Sequence, residues 1–234
     1  MAKWTTLAPV LPGKEGEIAN ITKYMREHMN EYEESRKRAS VTLERVYLMR
    51  TPQGAIVTAY NEGNRSQPEA FQTLATSGDP FDKWFFGKLH EIHGIDFTKP
   101  PEGPPPEQLF DWVDPEAKGR GKGLAFAAPV AADKIEKGKK FSEEAFRKRE
   151  PEFRESRRML KETHEFGMLW HTPMGAFLTV YLEGDDPKAG NARFANSTSP
   201  YDVWFKKEAG DVTGQDFNQP LPPIETIWEW QPKA

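Results

Sequence analysis

The chain has 234 residues, of which 37% are hydrophobic, 29% charged and 12% aromatic, and its formal net charge is −4. This apolar content excludes a disordered chain, and the small negative charge excludes a general attraction to nucleic acid or anionic membranes. The absence of cysteine excludes disulfides and thiolate chemistry. No signal peptide and no apolar stretch near the ~20 residues of a membrane span is evident, so we expect a cytoplasmic protein.

The first predicted elements are a short apolar strand, Thr6–Val10, and a helix that follows it. Apolar residues recur on this helix at three- and four-residue steps, which is typical of one buried helix face. They are Ile18, Ile21, Met25, Met29 and Tyr32. Two β-rich runs come next, Val41–Arg50 and Gly54–Glu62. Between them lies Pro52-Gln53, and a proline followed by a glycine two positions later favours a tight turn.

A second helix is predicted to begin at Asp79-Pro80, because aspartate suits the N-cap and proline suits the first helical position. A short strand near Phe110–Trp112 is expected to close the unit. The predicted order is therefore strand, helix, strand, strand, helix, strand.

The second half of the chain repeats this order. Residues Glu34–Gly63 align without gaps on Glu155–Gly184, and 14 of the 30 aligned positions are identical. We therefore predict a tandem duplication, with a first repeat over 1–112, a linker over 113–123 and a second repeat over 124–234. In the second repeat we expect a helix broken near Pro151, a hairpin around Pro173-Met174 and a closing strand at Thr226–Trp230.

This element order is that of a ferredoxin-like α+β unit. Together with the duplication, it makes the chain resemble the dimeric α/β-barrel superfamily, whose members pair two such units sheet to sheet. The resemblance implies two ferredoxin-like units that form an intrachain α/β barrel. The superfamily includes cofactor-free monooxygenases, isomerases, haem-linked enzymes and stress proteins, and no motif selects among them.

Two-residue loops at Pro52-Gln53 and Pro173-Met174 would fix the register of both hairpins. One face of each hairpin then carries small aliphatic side chains, as a helix-covered sheet face requires. The opposite face carries aromatic side chains among a few charged ones. Because ligand sites are mostly apolar with a few placed polar groups, we predict an amphipathic pocket between the two copies.

The same register places His164 opposite Glu183 and Arg45 opposite Tyr60. A histidine beside a carboxylate suits general acid–base chemistry, so we predict His164 and Glu183 as catalytic residues. The residues predicted to bind the substrate are Arg45, Tyr47, Tyr60, Glu62, Trp170 and Tyr181. The alternative is that these pairs serve only packing at the rim of a sheet. No metal site is predicted, because His90 and His93 have no evident third ligand.

Our leading hypothesis is a small-molecule enzyme that uses no cofactor and catalyses proton transfer or oxidation of an aromatic or polyketide-like substrate. One alternative is a non-catalytic ligand-binding or stress-response protein that uses the same pocket. A second alternative is a haem protein with His164 or His171 as axial ligand. The expected partner is a small molecule, not nucleic acid or a membrane, and the fused pair would be a monomer or form a homodimer.

Overall fold

A computed structural model describes residues 1–100 and 103–232 of the chain. The chain divides into two compact units, Met1–Glu102 with Ile224–Ala234, and Gly103–Pro223. Each unit combines one four-stranded antiparallel sheet with helices, so the predicted α+β fold class is confirmed. Among the helices of the described segments, none has the length and apolarity that a membrane crossing requires.

The helices and strands follow the predicted order in both repeats. In chain order they are β1 (Ala2–Pro9), α1 (Glu15–Glu27), α2 (Met29–Arg38), β2 (Val41–Thr51), β3 (Gly54–Gly63), α3 (Gln67–Ala75), α4 (Pro80–His93), β4 (Glu107–Val113), β5 (Lys122–Val130), α5 (Ile135–Glu143), α6 (Glu150–Leu160), β6 (Glu162–Thr172), β7 (Gly175–Gly184), α7 (Pro187–Asn196), α8 (Pro200–Thr213) and β8 (Ile224–Trp230).

Local signals explain where several helices begin and end. The Asp79 carboxylate accepts hydrogen bonds from the first backbone N–H groups of α4, and Gly94 ends that helix in a left-handed conformation. In the second repeat, a π-helical turn at Glu144–Lys148 separates α5 from α6 just before Pro151. The predicted break of this helix is therefore confirmed.

The strand order is β1-β3-β2-β8 in the first unit and β4-β6-β7-β5 in the second. In the first unit β3 lies between β1 and β2 and is antiparallel to both, so β1 and β2 form a split βαβ arrangement. The second unit has the same arrangement, with β7 between β5 and β6.

Both hairpins have the predicted register. Thr51 pairs with Gly54, and Thr172 pairs with Gly175. The pairing continues to Arg45 opposite Tyr60 and to His164 opposite Glu183. Gly54 and Gly175 have φ values of 129° and 118°, which side chains rarely tolerate, and this explains the glycine after each turn.

The helices cover the face of each sheet that carries the small aliphatic side chains. In the second unit Leu169, Ala176 and Leu178 pack with Val130 and with Val212 of α8. In the first unit Val46, Val57 and Ala59 of the sheet line one cavity together with side chains of α1 and α4. The predicted assignment of the helix-covered face is therefore confirmed.

The last strand of each repeat differs from the expectation. The sequence predicts that Phe110–Trp112 closes the first unit and that Thr226–Trp230 closes the second. Instead β8 pairs with β2 in the first unit, and β4 pairs with β6 in the second. The predicted placement of these two strands is wrong, and each sheet takes its fourth strand from the other repeat.

Gly167 makes room for one of the exchanged strands. It pairs with Phe110, and a Cβ atom at Gly167 would lie 2.1 Å from Cζ of the Phe110 ring. The Phe110 ring also stacks on Phe146, with ring centroids 3.8 Å apart. The matching position in the first repeat is Val46, which pairs with Trp228 of β8. Phe110 therefore packs closely on the second sheet at a position that has no side chain.

We predict that Gly167→Ala destabilises the protein by about 1–3 kcal/mol, because its methyl group meets the Phe110 ring in a packed core. Urea unfolding followed by circular dichroism measures the change. Gly87→Ala in α4 is the control: nothing lies within 4 Å of a Cβ there, so alanine should stabilise the helix by roughly 0.5–1 kcal/mol. Equal unfolding midpoints for the two variants would contradict the role of Gly167.

Candidate functional site

His164 is the predicted catalytic residue, and the structure places it on β6 with 4% of its surface exposed. Its Nε2 lies 3.1 Å from Oδ1 of Asp111 on β4. The ring of Tyr181 stands edge-on to the imidazole, with centroids 5.6 Å apart. A carboxylate at this distance fixes the orientation of the imidazole ring.

Glu183 lies across from His164 in the register and is also buried. Its carboxylate accepts a hydrogen bond from the Tyr181 hydroxyl at 2.6 Å and one from the backbone N–H of Gly121 at 3.0 Å. The guanidinium of Arg120 lies 3.6 Å away. Glu183 therefore accepts hydrogen bonds from two donors, at the position opposite the histidine that it was predicted to assist.

The first unit repeats the tyrosine–glutamate pair. The Tyr60 hydroxyl donates to Oε1 of Glu62 at 2.8 Å, and both side chains are buried. Arg45 lies 3.3 Å from Glu229 of β8, and Tyr47 pairs with Thr58 in the hairpin. The predicted residues thus fall into two groups. Arg45, Tyr47, Tyr60 and Glu62 belong to the first unit, and His164, Trp170, Tyr181 and Glu183 belong to the second. The predicted pocket between the copies stays a prediction.

Two carboxylates beside the predicted site residues were not identified from the sequence. Asp111 contacts His164, and Glu229 contacts Arg45. They occupy matching positions in the two repeats, in Asp111-Trp112 and Glu229-Trp230. Their repetition was a signal that could have marked them. The sequence predicted that each closing strand stays in its own unit, and that placement would have separated Asp111 from His164 and Glu229 from Arg45.

A buried arginine–glutamate pair joins helix to sheet in each unit. Arg36 Nε lies 2.5 Å from Oε2 of Glu44, and Arg157 Nε lies 2.5 Å from Oε2 of Glu165. Burial alone would lower the pKa of Arg36, but the charges of Glu44 and Tyr32 and the hydrogen bonds to them together outweigh it and raise the pKa, so the guanidinium stays charged. Breaking one partner of such a buried pair typically costs about 3–5 kcal/mol.

Each unit also encloses a cavity between its sheet and its helices, which the sequence analysis did not predict. The cavity of the first unit has a volume of about 130 Å³, and that of the second about 90 Å³. The arginine–glutamate pair of each unit contributes to the lining of its cavity. Most of the remaining lining is aliphatic or aromatic, so these spaces suit small apolar molecules.

Glu162 is an additional acid in the second unit, where the first repeat has Val41. It is 3% exposed and lines the cavity of that unit. Its carboxyl lies 3.5 Å from Nε of Arg157, which is already engaged by Glu165. Burial raises the pKa of Glu162 to about 8, against the opposing effect of Arg157. The carboxyl is therefore mostly protonated at neutral pH.

The described residues hold no group of three histidine, cysteine, aspartate or glutamate side chains that would bind a metal ion. For a haem, the two predicted axial ligands already have acidic neighbours. His164 contacts Asp111, and Nε2 of His171 lies 3.8 Å from Oε1 of Glu107. An absorption spectrum of the purified protein tests the haem alternative.

No protein-family model and no curated protein matches the chain. Two solved structures are similar to it in fold. One is a candidate monooxygenase from Lactobacillus acidophilus NCFM, with a TM-score of 0.49 and 6% identity over 98% of this chain and 94% of that chain. The other is an anthrone oxidase-like protein, with a TM-score of 0.47 and 11% identity over 96% of this chain and 92% of that chain. Similarity at this level carries no information about activity.

We predict that stability falls as pH rises between about 5 and about 8, because folded Glu162 keeps a proton that the unfolded chain releases. The slope from this group approaches about 1.4 kcal/mol per pH unit. Urea unfolding at several pH values should show that Glu162→Gln removes this contribution to the pH dependence of stability. Glu155→Gln, at an exposed position of α6, is the control and should leave it unchanged. Identical pH dependence in wild type and Glu162→Gln would show that Glu162 is already ionised.

Proposed function

We propose that the chain is a small-molecule enzyme in which His164 accepts a proton from an aromatic or polyketide-like substrate. One observation carries this proposal: a buried histidine has a carboxylate 3.1 Å from its Nε2, on a sheet face rich in aromatic side chains. A positioned histidine can take a proton from an acidic C–H or O–H group near neutral pH. Asp111 then stabilises the imidazolium that forms and keeps the ring in one orientation.

The other predicted residues keep supporting roles in this proposal. Trp170 and Tyr181 lie on the same sheet face as His164 and suit contact with an aromatic ring. Glu183 is hydrogen-bonded to Tyr181 and holds its hydroxyl in place. In the first unit, Arg45 and Tyr47 supply donors suited to an enolate or phenolate oxygen, while Tyr60 donates its hydroxyl proton to Glu62 and offers its ring.

Proton removal prepares an electron-rich substrate for oxidation without a cofactor. The carbanion transfers electrons to dioxygen and forms a C–O bond, and protonation of the adduct gives a hydroperoxide. Loss of water from the hydroperoxide then gives a ketone or quinone. For anthrone, a simple tricyclic probe with an acidic C–H bond, the balanced reaction consumes one dioxygen and yields anthraquinone and water. The proton-transfer step can be followed separately without oxygen.

We predict that wild-type protein catalyses exchange of the acidic anthrone hydrogen for deuterium without oxygen, and anthrone oxidation in air. His164→Ala should lower both rates by about 10²–10⁴-fold, the usual contribution of a general base. Asp111→Asn should lower them less, because it leaves the imidazole in place. Mass spectrometry measures the exchange, and an oxygen electrode measures the oxidation.

His90→Ala is the matched control, since His90 is exposed on α4 and should leave both rates unchanged. Wild-type rates in His164→Ala would rule out the proposed base. If exchange is lost but uncatalysed oxidation persists, His164 acts in proton transfer and dioxygen reacts without further help from the protein.

A non-catalytic role in ligand binding is the second candidate, and one observation favours it. The polar groups of the candidate set satisfy one another, in the pairs His164–Asp111, Tyr60–Glu62 and Tyr181–Glu183. Such satisfied buried pairs also rigidify a sheet without any chemistry. In that case wild-type protein would not accelerate either anthrone reaction, and His164→Ala would change only stability or affinity.

A further inference from the structure

The cavity of the first unit contains a polar side chain whose hydrogen bonds are not satisfied by the protein. Asn61 of β3 lines this cavity and is 7% exposed. Its carboxamide makes no hydrogen bond to another residue in the described part of the chain. An amide that no protein group satisfies, in a mostly apolar cavity, can contact a polar group of a bound molecule.

A second unsatisfied group lies in the same row of the sheet. Trp4 of β1 pairs directly with Asn61, and its indole N–H is buried without a hydrogen-bond partner in the described segments. On the other side of Asn61 the row continues to Glu44, which is already bound to Arg36. Trp4 and Asn61 both line the cavity and together carry three N–H donors and one acceptor oxygen.

The second unit has the same fold but lacks both of these polar groups. The positions of Trp4 and Asn61 correspond there to Leu124 and Leu182, and the position of Thr6 corresponds to Phe126. Of these, Leu182 and Phe126 line the smaller cavity of that unit with apolar atoms. The fold itself therefore does not require an asparagine or an indole N–H in this row.

The volume of the cavity and the charges in its walls limit which molecules can bind in it. The cavity has a volume of about 130 Å³. An engineered apolar cavity of about 150 Å³ in another protein binds benzene, so a single six-membered ring fits here. The walls include Ile18, Ile21 and Phe86, which suit the faces of such a ring. Arg36 and Glu44 neutralise each other, and a charged ligand would bring an uncompensated charge into this space.

We propose that the cavity of the first unit is a binding site for an uncharged single-ring molecule with one hydroxyl group, as in a phenol. The hydroxyl donates to the Asn61 carboxamide oxygen and accepts from the amide or indole N–H, and the ring occupies the apolar remainder. This site is separate from the His164 face and goes beyond the proposed reaction. It would give the first unit a ligand of its own.

The test compares phenol with toluene, which has the same shape but carries a methyl group in place of the hydroxyl. We expect wild-type protein to bind phenol about tenfold more tightly than toluene, since leaving Asn61 unsatisfied costs about 1.4 kcal/mol or more. Asn61→Leu introduces the residue of the second repeat and should reverse this preference. Isothermal titration calorimetry measures both affinities.

Three controls test whether the preference for phenol arises at Asn61 and Trp4. Asn64→Leu, at an exposed position three residues later, should keep the preference for phenol. The indole N–H resonance of Trp4, identified by its loss in Trp4→Phe, should shift on addition of phenol. His164→Ala should bind phenol like the wild type, so failure of the proposed enzyme does not affect this result.

Three results would overturn the proposal. They are equal affinities of the wild type for the two ligands, a preference for phenol that persists in Asn61→Leu, and no binding of either ligand. Asn61→Leu loses no hydrogen bond within the described protein and should remain folded, which its urea unfolding curve verifies. Folded variant protein with an unchanged ligand preference therefore counts against the site.

Discussion

The exchange of closing strands between the two repeats determines which carboxylates lie beside His164 and Arg45. β4 pairs with β6 and β8 pairs with β2, so each sheet is completed by the end of the other repeat. This pairing brings Asp111 to His164 and Glu229 to Arg45. In the second unit the Phe110 ring packs against the strand at Gly167, where there is no side chain. The pairing of β4 with β6 thus supplies the carboxylate beside the candidate catalytic histidine.

A second constraint is shared by both units. Each has a buried arginine–glutamate pair between the helix that precedes the hairpin and the first hairpin strand. The guanidinium groups also lie over aromatic rings, 4.4 Å from the Tyr32 centroid for Arg36 and 4.5 Å from the Phe153 centroid for Arg157. Because a buried charge is tolerated only when it is paired, both partners persist in both repeats. The pair is part of the framework around each cavity.

The two copies have diverged where the framework does not require a particular residue. On one sheet face Arg45 corresponds to Phe166, and His164 corresponds to Leu43. On the helix-covered face Asn61 corresponds to Leu182. Each difference places a polar group in one unit where the other has an apolar one. The duplicated fold therefore carries distinct chemistry in its two halves, with a buried histidine in one and an unsatisfied amide in the other.

The sequence by itself determined the duplication, the order of elements, the turn residues and the hairpin register. These follow from local rules: a glycine with positive φ after each turn fixes the pairing, and the alternation of side chains then assigns the two faces. Only the tertiary structure decided which sheet each closing strand joins, because both repeats end in a similar strand and local sequence does not select between the two sheets. The same holds for Asp111 beside His164 and for the cavities, since distances between strands and helices far apart in sequence arise only from packing.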